Sequence, residues 1–151
     1  MSISNITKCT FEEIVLLKNY LKCTPVNSVI TYIENGANVS KGHILSTSDL
    51  GDCSTIWNIL GGVKSSIQYS VKDVYKILSD NPNTENKKLI DKINYYKKLY
   101  ESGGLDIIIT FIKNGNICHI IDGDTRAVSI YEYNKGMSKE EADIPVYLIS
   151  V

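Results

Sequence analysis

The dipeptide Asn114-Gly115 constrains the chain more than any other feature of it. It separates two apolar, β-branched runs, Leu105 to Lys113 and Asn116 to Ile121. A two-residue hairpin turn needs positive φ at its centre, which Asn and Gly tolerate, so this spacing predicts a β-hairpin. Ile107, Ile108 and Ile109 follow one another without a polar break, which predicts a first strand covered on both faces. Such a strand needs layers around it. At 151 residues the chain can supply them, because folding at that length buries roughly 68 to 70% of the unfolded surface.

The flanking sequence reads as helix and strand in turn. Thr10-Phe-Glu-Glu13 forms a capping box ahead of Ile14, Leu17 and Leu21 on one face. Thr24 and Pro25 open a second pattern with Val26, Val29, Ile30 and Ile33, closed by Asn35-Gly36. From Ala37 to Ser66 the glycines Gly42, Gly51, Gly61 and Gly62 break up short apolar pieces, and the one helical turn expected there contains Trp57. Trp57 reads as core beside Ile56, Ile59 and Leu60, with a ligand slot as the alternative. Beyond it the pattern predicts a strand over Ser65 to Tyr69 and a short helix capped by Ser70. A long helix follows from Thr84 to a stop at Ser102-Gly103-Gly104. Lys87, Lys88, Lys92, Lys97 and Lys98 read as that helix's solvated face. After the hairpin come a helix over Thr125 to Asn134, a loop over Lys135 to Asp143 and a closing strand over Ile144 to Ile149. The whole is an α+β pattern, with residues 1–62 a helical N-terminal segment packed on a small mixed-sheet module at 63–151.

Composition narrows the function classes. Sixteen Lys plus Arg oppose 17 Asp plus Glu for a net charge of -1, without the basic footprint of a nucleic-acid binder. With 43% hydrophobic residues the chain is not of the disordered class. No apolar run of about 18 residues spans a bilayer and MSISNITKC does not read as a signal peptide, so a cytoplasmic location is expected. Cys9, Cys23, Cys53 and Cys118 form no C-x-x-C pair, and His43 and His119 are the two histidines. Neither a zinc site nor a disulfide frame is indicated, and reduced, mostly buried thiols are expected. Neither histidine is expected to be catalytic.

One segment carries chemistry. Ile120-Ile-Asp-Gly-Asp-Thr-Arg126 joins the end of a strand to the start of a helix through a single glycine. The first amides of a helix have no partner inside it and lie at the positive end of its dipole, so they accommodate phosphate. Gly123 lets the backbone come close, Thr125 adds a hydroxyl, and Arg126 offers a planar fork of donors for phosphate oxygens. Asp122 and Asp124 would repel a polyphosphate unless a divalent cation lay between, and magnesium held by carboxylates and substrate phosphates is the usual solution. The same residues also read without a ligand: Asp124 as an N-cap, Gly123 as a turn and Arg126 as a surface ion-pair partner. On the residues alone both readings stand.

The order of elements adds a resemblance. Ser66-Ile-Gln-Tyr-Ser70, Pro82-Asn-Thr-Glu85, Leu105 to Phe111, Ile120-Ile-Asp-Gly-Asp-Thr-Arg-Ala127 and Ile144-Pro-Val-Tyr-Leu-Ile149 follow one another as in the ParB/sulfiredoxin-like superfamily. The resemblance covers about residues 67–151. It implies binding of ATP or CTP, with the turn and following helix holding the phosphates. Sulfiredoxins carry a catalytic Cys where this chain has Asp124. Partition ParB proteins have a second Arg where it has Thr125, then an E-N-x-x-R box that does not follow here. The free-serine kinases resemble it most: their D-G-H-T-R turn matches Asp122, Gly123, Thr125 and Arg126, with Asp124 in place of the His, and their acid after a proline corresponds to Glu85.

The resemblance thus implies a Mg-dependent phosphotransferase or nucleotide hydrolase. Gly123, Asp124, Thr125 and Arg126 would bind phosphate and Asp122 and Asp124 would hold the metal. Glu85 and Asp124 would be catalytic, Glu85 taking the proton from an acceptor hydroxyl or water. Glu85 also has a purely structural reason to stand there, because the dipole favours acids in a first helical turn. Two other classes remain: a regulator or inhibitor that uses the fold to contact a partner protein, and a nuclease or DNA-binding protein. Near-neutral charge disfavours the last.

Overall fold

The computed structural model describes residues 3–60 and 62–151; Gly61, one of the expected glycine breaks, lies outside them. Strand β1 (Ser4–Lys8) leads into α1 (Phe11–Leu21), and a 3-10 turn (Asn27–Val29) runs into α2 (Ile30–Glu34). Next come β2 (Asn38–Ser46), α3 (Thr47–Asp52) and a two-residue pair, β3 (Ile59–Leu60) and β4 (Val63–Lys64). Then follow α4 (Val71–Asp80), α5 (Thr84–Glu101), β5 (Thr110–Asn114), β6 (Ile117–Asp122), α6 (Asp124–Gly136) and β7 (Glu141–Ser150). The main sheet has the order β1-β2-β7-β5-β6, with β5 and β7 parallel and the other neighbours antiparallel. The fold is α+β.

Strand alternation gives this sheet two apolar faces. Phe111, Ile120 and Leu148 join Leu50, Val74, Leu78, Ile93 and Ile130 in one core, beneath α3 to α6. Their neighbours Ile112, Ile121 and Ile149 face the other way, against Leu17 and Leu21 of α1 and Ile33 of α2. The hairpin forms, but its turn lies one residue later than expected: Asn114 is still paired, to Ile117, and the two central residues are Gly115, at φ 62, and Asn116. Strand β5 lies between β7 and β6. Pro145 is tolerated in the inner strand β7 because pairing with β5 begins only at Tyr147, so its missing donor costs no ladder bond on that side.

Several expectations need correction. The N-terminal segment is not only helical, since β1 and β2 supply two strands of the main sheet. Gly42 reads as a breaker but sits inside β2, where an added Cβ would lie 2.5 Å from Ile3 Cγ2 and 3.0 Å from the Ser4 carbonyl oxygen. It is there because β1 crosses at close range. Thr24 does not open a helix: its hydroxyl donates to the Leu21 carbonyl at 2.8 Å and closes α1. The helical turn expected around Trp57 lies earlier, in α3, where Gly51 lets the Tyr131 ring pack against the backbone. Ser65 to Tyr69 is not a strand, although the Tyr69 N–H donates to the Trp57 carbonyl. The strand expected from Leu105 begins only at Thr110, and the expected loop at 135–143 shrinks between α6 and β7. Cys9 and Cys53 are buried, Cys118 is half-buried and Cys23 is exposed; all four thiols are free. Among the described residues no helix is long and apolar enough to cross a membrane.

The capping box at α1 is present in full: Glu13 N–H donates to Thr10 Oγ1 at 3.2 Å, and Thr10 N–H donates to Glu13 Oε1 at 2.9 Å. Thr10→Ala should therefore cost about 1 kcal/mol in urea denaturation, whereas Glu12→Ala nearby should cost far less.

Candidate functional site

Strand β6 ends at Asp122, Gly123 turns the chain at φ 95, and α6 starts at Asp124. Gly123 is required here twice over. Its positive φ disfavours other residues, and an added Cβ would lie 2.6 Å from the Ile108 carbonyl oxygen. A glycine has no side chain to cap with, so α6 starts without the side-chain acceptor that Thr10, Ser46 and Asn83 give α1, α3 and α5. Its first amides open into a cleft of about 430 Å³.

Four parts of the chain wall this cleft: the turn itself, the end of α1 with the connection after it (Tyr20, Pro25, Val26), the loop carrying Ile56 and Trp57, and the α5 face carrying Lys92 and Tyr96. Arg126 Nη2 donates to Asp122 Oδ2 at 3.0 Å, and its guanidinium carbon lies 5.8 Å from the centre of the Tyr20 ring. Burial raises the Tyr20 phenol, and the neighbouring Arg126 opposes that shift. The arginine fork is thus oriented from two directions, by an acid on its own turn and by an aromatic ring from the N-terminal segment.

Asp124 is the unusual group. It is 8% exposed, and its Oδ1 accepts the Ile56 N–H at a long 3.4 Å. Burial pushes its carboxyl up to about 7; the Ile56 N–H opposes the shift and the charge of Asp122 adds to it. Asp124 is therefore an acid poised to exchange a proton near neutral pH.

No family model, curated protein or solved structure matches the chain.

The expected residues meet in part. Asp122, Gly123, Asp124, Thr125 and Arg126 line one cleft together. Glu85 does not line it: it is exposed in the first turn of α5, two turns before Lys92. His43 bonds Asp143 at 2.6 Å across β2 and β7, and His119 lies in β6 with Nδ1 buried and unpartnered; neither lines the cleft. The residues that sequence reasoning left out are Tyr20, Lys92 and Tyr96. Lys92 and Tyr96 stand at i and i+4 on α5, with the Lys92 ammonium 5.6 Å from the Tyr96 ring centre, and that spacing was visible. Nothing in the sequence signals Tyr20.

Among the described residues no three His, Cys, Asp or Glu side chains cluster as metal ligands. The cleft offers the carboxylates of Asp122 and Asp124, and Asp122 already neutralises Arg126. That donor set is too small for an all-protein magnesium site but fits an ion that arrives coordinated by nucleotide phosphates.

Proposed function

We propose that the chain binds a nucleotide such as ATP or CTP in this cleft, and acts on its terminal phosphate as a Mg-dependent phosphotransferase or hydrolase. One observation carries the reading: an uncapped helix N-terminus, an oriented arginine and a lysine on the facing helix share a cleft with half-buried aromatic side chains and the exposed Ile56. Phosphate suits the first part and a flat base the second. The Asp122-Gly-Asp-Thr-Arg126 turn resembles the phosphate-holding turn of the ParB/sulfiredoxin-like superfamily and supports the same reading.

In this scheme the amides of Asp124, Thr125 and Arg126, with the Arg126 fork, hold phosphate oxygens, and Lys92 neutralises charge from α5. Asp122 is the residue that would hold a magnesium ion, which would supply positive charge to offset that developing on the phosphates. Asp124 replaces Glu85 as the proton acceptor, because it lies in the cleft and its proton affinity matches neutral pH. A hydroxyl or water attacks the terminal phosphorus, its proton passes to Asp124, and the nucleoside diphosphate leaves.

A thermal-shift titration tests the binding step. ATP or CTP with magnesium should stabilise the wild type by about 2.7 kcal/mol at a hundredfold excess over the dissociation constant, and Arg126→Ala should lose that gain. No stabilisation of the wild type by ATP, CTP or GTP would contradict the reading.

A further inference from the structure

We propose that the cleft holds the base of its nucleotide by stacking on the indole of Trp57, and that this mode makes the site tolerant of which base it takes. The inference rests on the nucleotide reading above and deepens it.

Three aromatic rings line the cleft, and two are already engaged. Tyr20 faces the Arg126 guanidinium. Tyr96 carries the Lys92 ammonium 5.6 Å from its centre, with the Tyr95 ring tilted beside it at 6.0 Å. Trp57 has no ring or cation partner among the described residues, and its indole N–H has no acceptor among them. Trp57 is only half-buried: it packs against the core that includes Leu60 and Ile120, and it lines the cleft beside Ile56.

A loop residue makes a poor platform unless its backbone is held, and here it is. The Trp57 N–H donates to Thr55 Oγ1 at 3.2 Å, and its carbonyl accepts the Tyr69 N–H at 2.7 Å. Thr55 is fully buried and bonds Tyr69 in turn: its N–H and its hydroxyl both donate to the Tyr69 carbonyl, at 2.9 and 2.8 Å. The backbone that carries the indole is thereby held before any ligand arrives, which lowers the ordering cost of binding.

The cleft also shows what it does not read. A base is told from others by side chains fixed to match its edge: an Asn or Gln amide for adenine, a free arginine fork for guanine, a free carboxylate for cytosine. No Asn or Gln lines the cleft. Trp57 and Lys92 only donate, Asp122 and Arg126 are paired with each other, Asp124 Oδ1 accepts from Ile56, and the hydroxyls of Tyr20, Tyr96 and Thr125 rotate and so suit a donor or an acceptor alike. Stacking, by contrast, accepts every base, because each has a π-face.

Trp57 is the one tryptophan of the chain, so its fluorescence reports on this site alone. The experiment titrates ATP, GTP, CTP, UTP and inorganic tripolyphosphate with magnesium, followed by calorimetry and tryptophan emission. All four nucleotides should quench Trp57 and bind with dissociation constants within one order of magnitude. Tripolyphosphate should compete with them, leave the emission unchanged and bind about 5- to 150-fold more weakly. Trp57→Leu should bring the nucleotides to the tripolyphosphate level without moving tripolyphosphate itself, and Trp57→Phe, which keeps a plane, should retain most of the affinity. Nucleotide binding that leaves the emission unchanged would overturn the inference alone, as would tripolyphosphate binding as tightly as ATP or a hundredfold preference for one base. Failure of every ligand to bind would overturn it together with the nucleotide reading.

Discussion

Asp124→Asn should make the ligand-free protein more stable at pH 8 while abolishing turnover. Asp124 is 8% exposed, and burial pushes its carboxyl up to about 7 from an ordinary 3.8. The folded state therefore binds the proton more tightly than the unfolded chain, and between about pH 4 and 7 it carries more of it. Stability then falls as pH rises through that window and levels off above it, by on the order of 4 kcal/mol in all. Asparagine keeps an oxygen for the Ile56 N–H and carries no charge, so the variant should lose this contribution to the pH dependence. Urea denaturation of both proteins from pH 4 to 8 measures the difference, which should be near zero at pH 4 and largest at pH 8. Equal pH profiles would show that Asp124 is ionised at no cost. A group that lowers stability where it stands, in a cleft, is what a site retaining an acid for chemistry would show.

Gly123→Ala should be nearly as consequential, with the opposite sign. The new Cβ would meet backbone on one side, 2.6 Å from the Ile108 carbonyl oxygen and 3.1 Å from Ile109 Cα, at a φ of 95 that alanine disfavours. Left-handed strain and overpacking together should cost about 2 to 5 kcal/mol. Because Gly123 also aims the first amides of α6, nucleotide affinity should fall further than that of Gly115→Ala. Gly115 provides the control: it too has positive φ, at 62, but nothing lies within 4 Å of an added Cβ. Its substitution should cost only about 1 kcal/mol and leave binding unchanged. Equal losses at the two glycines would mean that the close approach at Gly123 relaxes freely.

The parts of the fold governed by local chemistry were legible in the sequence. Gly115 turns the chain wherever the strands lie, one residue off the expected centre, and the Thr10 to Glu13 capping box closes on itself over three residues. Strand β2 was not legible because its two neighbours, β1 and β7, come from opposite ends of the chain, and Gly42 answers to the crossing of β1 rather than to any local preference. Ile107 to Ile109 look like strand because they are apolar and β-branched, yet Ile107 and Ile108 are only half-buried and the Ile109 carbonyl alone joins the ladder, accepting from Tyr147 N–H.

The candidate site divides in the same way. Asp122 to Arg126 are contiguous, so a strand-turn-helix reading brings them together at once. Glu85 was placed by analogy of order, and the path of α5 carries it two turns away while bringing Lys92 and Tyr96 to the cleft. Tyr20 reaches Arg126 only because α1 packs on the sheet face that bears Ile121, a contact across more than a hundred residues that no local pattern encodes.

The central claim is that nucleotide phosphate sits at the start of α6. Amide chemical shifts of the isotopically labelled protein, followed during titration with ATP and magnesium, test it most directly. The largest and saturable shifts should fall on the amides of Asp124, Thr125 and Arg126, with the Trp57 indole N–H moving at the same midpoint. Shifts confined to the separate groove lined by Asp52, Gln68, Lys72 and Lys76, or none at all, would contradict it.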